Sequence, residues 1–263
     1  MSNNEDYKVC FIISNKYILG YPNFLKHYID NVIEFYGNSL ILVVDNNSNN
    51  INDLVLQFKS YDNVTIIQNT DICKFEIGAY KFGIKYLIEQ NLIEKYDYYA
   101  CTQDNYFLQN NFDFRLLDKN NVNGAVLFGN DIDWHSGPHP HQTIDDRNKE
   151  LIRFGITDSQ ILNNNLFCWC SSFIINKHKI FNFYEIIKNI QITNRWGSIL
   201  SEKYLGGILY FLNNGIHYAV DPHLDLPYNN RNVTLTNCND IKSVYFVKCA
   251  QDKTETTPDP VRV

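Results

Sequence analysis

Several things are missing from this chain, and each absence closes a class of explanation. No apolar run approaches the ~18 residues that a membrane-spanning helix needs, and the opening residues, Met1 to Tyr7, are polar and acidic where a secretory leader would be basic and then apolar. Neither a membrane span nor a leader is read. Lysine and arginine number 23 against 29 aspartates and glutamates, a net charge of −6, and no basic stripe is visible. A nucleic-acid groove needs clustered cations to neutralise phosphates, so no nucleic-acid partner is expected. The cysteines form an odd, scattered set, Cys10, Cys73, Cys101, Cys168, Cys170, Cys238 and Cys249, unlike a disulfide framework. They imply a reducing cytosol or a virus-factory-like compartment, and so a cytoplasmic protein in which the sequons at Asn46, Asn63 and Asn232 stay unmodified.

What is present is alternation. With 44% apolar residues in 263, the chain can bury a full core, and residues 1–250 read as a single domain. Residues 251–263, with the polar run from Asp252, show no apolar periodicity and read as a disordered tail. Lys8 to Ser14, Leu40 to Val44 and Val64 to Gln68 are short apolar runs of strand type. Between the first two, Phe24, Leu25, Tyr28, Ile29, Val32, Ile33 and Tyr36 recur at helical spacing, with Pro22 tolerated in the first turn. A helix is expected over Tyr21 to Tyr36. A second opens near Glu76 and runs to about Asn91, and Tyr98 to Thr102 follows as a strand. Strand and helix in alternation predict an α/β protein with a mostly parallel sheet covered by helices.

In such a sheet, ligands gather at the carboxyl ends of the strands. Two polar clusters stand there: Leu40 to Val44 runs into Asp45-Asn46-Asn47-Ser48, and Tyr98 to Thr102 runs into Gln103-Asp104-Asn105. The segment FEIGAYKFG, Phe75 to Gly83, adds Glu76 and Gly78 at a helix start. In order and local pattern, residues 8 to 225 resemble the nucleotide-sugar glycosyltransferases of the GT-A fold, family 2-like or related. The resemblance implies a Rossmann-like, mostly parallel central sheet with helices on both faces. It also implies transfer of a sugar, with inversion, from a nucleoside diphosphate sugar to a hydroxyl of a carbohydrate or protein acceptor, assisted by Mn²⁺ or Mg²⁺. On that pattern Asp45 and Asn46 meet the base or ribose, and Glu76 and Gly78 lie beside the donor. Gln103, Asp104 and Asn105 take the place of the DxD motif, with Asp104 as metal ligand. His223, after the last strand, is implied as a second metal ligand, and Glu202, in Ser201-Glu202-Lys203-Tyr204-Leu205-Gly206, as the general base. Gln103 and Asn105 replace both outer carboxylates of the motif, which leaves one acid for a hard cation that prefers oxygen ligands.

The second half is expected to carry the acceptor. Asn123 to Gly129 reads as a strand, and Asn130 to Lys149 as a polar loop containing His135, Gly137, Pro138, His139, Pro140 and His141. Phe167 to Asn176 resembles the strand that backs the acceptor site, Ser198 to Asn214 is a helix bearing Glu202, and Gly215 to Val220 is a strand entering Asp221-Pro222-His223.

Every one of these residues also has a plainer reading. Asp104 can serve a turn, Glu76 and Glu202 occupy first helical turns that favour carboxylates, and Asp45 to Ser48 make a loop on their own account. The His135, His139 and His141 group lacks the four tight ligands of structural zinc. His223 can be a solvated turn histidine beside Pro222. Trp134, Trp169 and Trp196 are sugar-stacking platforms or core residues, and the 14% aromatic content fits either a carbohydrate-facing surface or an A/T-rich coding sequence. Two other classes stay open: a catalytically inactive GT-A-like protein that binds glycans or a partner, and a nucleotidyltransferase. Against the second stands Asn15 to Gly20, too poor in glycine for a phosphate loop.

Overall fold

The structure is a computed structural model, and it describes residues 7–15, 24–128, 144–164, 166–221 and 245–248. Its organisation starts from β1 (Val9–Asn15), all seven residues of which are buried. Cys10 and Ile12 enter one apolar cluster, while Val9, Phe11 and Ile13 enter a second on the opposite face, as the period of two along a pleated strand requires. A strand buried on both sides needs helices on both sides.

β1 lies between β2 (Leu40–Asp45) and β4 (Tyr98–Gln103), parallel to each, and β3 (Val64–Gln68) lies parallel outside β2. Beyond β4 come β7 (Phe173–Asn176), β6 (Gly124–Phe128) and β8 (Ala219–Asp221), giving the order β3-β2-β1-β4-β7-β6-β8. β7 is antiparallel to both of its neighbours, and every other pair is parallel. The α/β class and the mostly parallel sheet are as expected.

One face is covered by α1 (Phe24–Phe35), α2 (Ile51–Gln57) and α4 (Arg115–Lys119), which bury Leu25, Tyr28, Ile29 and Val32, Leu54, and Leu117 in one cluster. The α1 residues recur at three- and four-residue spacing, the stripe that one helix face presents to a sheet. The other face carries α3 (Phe75–Glu89), α5 (Ile144–Arg153), α6 (Ser159–Asn163), α7 (Lys177–Ile187) and α8 (Arg195–Leu212). α3 sits very close to the strands: a Cβ on Gly83 would stand 2.8 Å from Ile12 Cγ2 and 3.1 Å from Val44 Cγ2. Apart from this layer, β5 (Tyr106–Leu108) pairs antiparallel with β9 (Phe246–Lys248), and only Asp104 and Asn105 separate β5 from β4. The Tyr106 ring stacks on Phe128 at 5.8 Å and meets Phe246 edge-on at 6.3 Å.

Several boundaries differ from expectation for local reasons. Residues 144–149, expected as loop, belong to α5, and the remainder of that stretch, with Trp134 and the three histidines, lies outside the described residues. Phe167 to Asn176 is extended only from Phe173. Before it, Trp169–Ser171 form a 3-10 turn with Cys170 at φ 54° and Ser171 at φ 51°. The expected strand over Gly215 to Val220 shrinks to β8, because Asn214 (φ 54°) and Gly215 (φ 86°) are still ending α8 in the left-handed region. α8 opens earlier than Ser198 because the Asn194 side chain caps it, accepting the Gly197 N–H at 2.9 Å. α7, not anticipated, is capped in the same way by Asn176 at 3.2 Å. No helix among the described residues is long and apolar enough to cross a membrane.

Candidate functional site

The chain fills β1, β2 and β3 outward in one direction and then returns to place β4 on the other side of β1. Strand order therefore reverses between β1 and β4, where an open α/β sheet leaves a crevice at its carboxyl edge. The last rungs there pair Ser14 with Gln103 and Asn15 with Asp45. The sequence clusters at 45–48 and 103–105 thus come together at one edge, although they lie far apart in the chain.

On the β2 side the polar groups brace one another. Asp45 is fully buried: Oδ1 accepts from the Ser48 hydroxyl (2.5 Å) and the Asn15 amide (3.1 Å), and Oδ2 from the Ser48 N–H (2.7 Å). Its carboxylate shapes the loop from within, and the loop turns through Asn47 at φ 66°. Asn46, half-buried, donates to Ser14 Oγ and to the Phe75 carbonyl, both at 3.1 Å, and accepts from the Asn69 amide at 2.9 Å. Asn69 also donates to the Cys73 carbonyl at 2.9 Å. Gly78 packs against that same carbonyl, since a Cβ there would lie 2.3 Å from its oxygen. The loop before α3 is held further by Lys81, whose ammonium pairs with Asp71 at 3.0 Å and donates to the Ile190 carbonyl at 3.0 Å. Burial works to raise the Asp71 carboxyl, and the Lys81 ammonium together with the Cys73 and Ile72 N–H groups outweighs it and holds the carboxyl below its ordinary value.

Glu76 is where three elements meet. Gln103, at the end of β4, donates from Nε2 to Glu76 Oε1 at 2.8 Å, and from the same nitrogen to the Cys170 carbonyl at 3.0 Å. Ser198 of α8 donates to Glu76 Oε2 at 2.9 Å. Ser172 Oγ also donates to the Cys170 carbonyl (3.0 Å) and accepts from the Tyr106 hydroxyl (2.9 Å), which links this knot to β5. Asp104 and Asn105 form the two-residue turn that follows, with Asp104 half-buried and Asn105 buried.

Glu202 stands one turn beyond Ser198 on the same face of α8, about 6 Å further along the axis. It is half-buried, and its carbonyl accepts the Cys168 N–H at 2.8 Å. Burial and then the Glu202 carboxylate push the Cys168 thiol well up, so that thiol is inert. The next residue, Lys203, is buried with its ammonium 6.0 Å from the Phe167 ring centre. Burial first, and then the nearby Arg147, hold it below the usual lysine range. Arg147 is fully buried and donates to the Ile161, Leu162 and Asn164 carbonyls at the end of α6. Burial brings it down to about 10.

Among the described residues no three His, Cys, Asp or Glu side chains group as a metal site. His223 lies outside the described residues. Trp196, on the first turn of α8, is half exposed. Two contributors escaped the sequence reading. Asn69 directly follows β3 and carries the signal that singled out the other strand ends, so the same question would have found it. Ser198 meets Glu76 only through the tertiary fold, with no local signal.

No family model matches this sequence, and no curated protein matches it. Among solved structures the chain is similar to S. aureus TarS residues 1–349, at 10% identity and TM-score 0.41 over 76% of this chain and 56% of that one. The same fragment in complex with UDP gives 10% identity and TM-score 0.44, covering 78% and 55%. S. aureus TarS gives 9% and 0.44, covering 77% and 34%. The chain thus spans about half, or a third, of the lengths it matches. A likeness this distant assigns neither family nor activity. The architecture stands on the strand order itself, which has the mostly parallel sheet and two helical layers that the resemblance to GT-A enzymes implies.

Proposed function

We propose that this protein is a glycosyltransferase that moves a sugar, with inversion, from a nucleoside diphosphate sugar to a hydroxyl of a carbohydrate or protein. The observation that carries this reading is the meeting of Asn46, Glu76, Gln103 and Asp104 at the crevice where strand order reverses, with α8 and Glu202 alongside. The nucleoside lies against the loop that Asp45 and Asn46 brace, with the exposed Asn47 offered to it, and the sugar extends toward Glu76. Glu202 takes the proton of the acceptor hydroxyl as its oxygen attacks the anomeric carbon. The new C–O bond forms while the bond to the diphosphate breaks, and the electron pair leaves with the diphosphate. Half burial supports that role, because a residue neither fully exposed nor sealed in the core suits a general base.

A Mn²⁺ or Mg²⁺ ion belongs to the proposal on the chemistry of its donors. Asp104 with His223 and diphosphate oxygens would suit a hard cation, although the described residues alone would not hold one. When bound, such an ion offsets charge on the leaving diphosphate as a Lewis acid. A cytoplasmic location belongs to the same proposal, on the odd and scattered spacing of the cysteines.

The test is a thermal-shift panel of UDP-, GDP- and CMP-sugars with and without Mn²⁺, followed by transfer assays. One nucleotide class should raise Tm, and Mn²⁺ with its nucleoside diphosphate should raise it more than either alone, since each supplies ligands to the other. Asp104→Ala should abolish that synergy, and full synergy in the mutant would remove Asp104 from the cation site. Glu202→Gln should lower transfer by about 10²- to 10⁴-fold with donor binding kept. A wild-type protein stabilised by no nucleotide sugar overturns the reading, and one that binds donor without turnover supports the inactive binding protein instead.

A further inference from the structure

Gln103 stands where the resembled enzymes carry a metal-binding carboxylate, yet its amide does what no carboxylate can. Both Nε2 hydrogens are committed, one to Glu76 Oε1 and one to the Cys170 carbonyl. An ionised acid at this position would present only acceptors to two acceptors. Glu76 is thus fixed by neutral donors, Gln103 on one oxygen and Ser198 on the other, and no lysine or arginine among the described residues pairs with it. A carboxylate offers about four acceptor directions, so each oxygen keeps room for one further donor.

A second observation points to the same place. Seven non-glycine residues among those described have positive φ, and four of them are asparagines, which tolerate that conformation. The other three, Phe75, Cys170 and Ser171, all adjoin this bridge. Phe75 precedes Glu76 and is held through its carbonyl by Asn46, Cys170 supplies the carbonyl that Gln103 binds, and Ser171 follows it. Backbone strain gathers at ligand clamps when the surroundings over-determine it.

We propose that Glu76 reads the transferred sugar by accepting hydrogen bonds from two adjacent hydroxyls, one on each oxygen, and that Gln103 is the positioning residue that aims it. The proposal rests on the donor reading above. It assigns the site to sugars with an intact vicinal diol, because a deoxy analogue would leave a desolvated carboxylate oxygen unmatched.

Binding is measured by titration calorimetry on the full chain, using UDP-glucose, UDP-galactose and GDP-mannose against free UDP and GDP. Glu76→Gln should leave nucleoside diphosphate affinity unchanged and lower nucleotide-sugar affinity by about 10- to 100-fold, the worth of hydrogen bonds to a charged group. Gln103→Glu should show the same selective loss at about pH 7.5. It should recover part of the affinity near pH 5, where two facing carboxylates share a proton. Its melting temperature provides a readout independent of any ligand. The facing pair binds a proton more tightly folded than unfolded, so the Tm deficit against wild type should narrow as pH falls. A deficit constant across pH overturns the bridge. Mutants that bind nucleotide sugars as wild type does, or that lose sugar and nucleotide affinity in equal measure, overturn the sugar-reading role alone. A wild-type protein that binds none of the probes overturns the donor reading, and with it the ligand assigned to Glu76.

Discussion

Replacing Gly78 with alanine sets two known effects against each other. Alanine is the better helix former by about 1 kcal/mol, so Gly78→Ala would stabilise α3 if the helix stood free. It does not stand free. The added Cβ would lie 2.3 Å from the Cys73 carbonyl oxygen and 2.5 Å from its carbon. The obstacle is backbone, and it is tied down: the Cys73 carbonyl accepts from Asn69 at 2.9 Å, and the next N–H, on Lys74, donates to the Ile192 carbonyl at 2.8 Å. Overpacking of this kind costs about 1–3 kcal/mol and sometimes more, and a contact so short with immobile atoms belongs at the upper end. The expected net loss is about 2 kcal/mol, which at roughly 2–4 °C per kcal/mol for a chain of this size lowers Tm by about 4–8 °C. Gly37→Ala is the matched control, because its Cβ would meet nothing nearer than the Ile33 carbonyl at 3.6 Å. It should stay within about 0.5 kcal/mol of wild type. Thermal and urea unfolding followed by circular dichroism decide the matter. If Gly78→Ala melts as high as Gly37→Ala, the close approach of α3 to residues 69–74 is refuted.

Asp71→Asn removes the carboxylate beside the nearly buried Lys81 ammonium and should cost about 1–3 kcal/mol in urea unfolding. Because the folded Asp71 carboxyl lies below its ordinary value, its contribution is present above the unfolded pKa and fades as pH falls through the folded one. The acid limb of the Tm profile should therefore be flatter in the variant, and parallel profiles would show that the pair contributes nothing. Burial pushes the Cys10, Cys73, Cys101 and Cys168 thiols up, so they should resist alkylation in the native protein. After denaturation without a reductant all seven cysteines should react, and mass-spectrometric detection of a native disulfide would contradict the reducing compartment.

The parts of this fold that show in the sequence are those that one strand or one helix decides alone. β1, β2 and β4 announce themselves as apolar runs, because a central parallel strand is buried on both faces and has no polar face to disguise it, whereas β3, a half-buried edge strand, shows through its β-branched residues. Val64–Gln68 is found residue for residue. β2 and β4 each run one residue further than their apolar stretch, through Asp45 and Gln103, because ladder pairing with β1 continues into polar residues. What escaped depends on partners. α2 buries little beyond Leu54, so no stripe reveals it. Cys170 and Ser171 occupy a conformation that glycine would have advertised and that cysteine and serine conceal. Glu76 stands out in the sequence as a helix-start acid, but its alignment by Gln103 and Ser198 joins three distant segments, and no local pattern encodes that.

The short sheet made by β5 and β9 also bears on the order in which the molecule can be completed. β5 follows β4 after two residues, yet its partner is the last strand described, whose Phe246 packs against Tyr106 and whose neighbour Tyr245 accepts the Gln109 N–H at 2.9 Å. Chains fold from the amino end as they are synthesised, and distant pairings wait for their second half. The large sheet has all its strands by Asp221, but the segment just past the Asp104–Asn105 turn gains its edge partner only when Lys248 has emerged. A nascent or carboxyl-terminally clipped chain would thus have every strand of the large sheet while leaving β5 without its partner and one core cluster without Phe246.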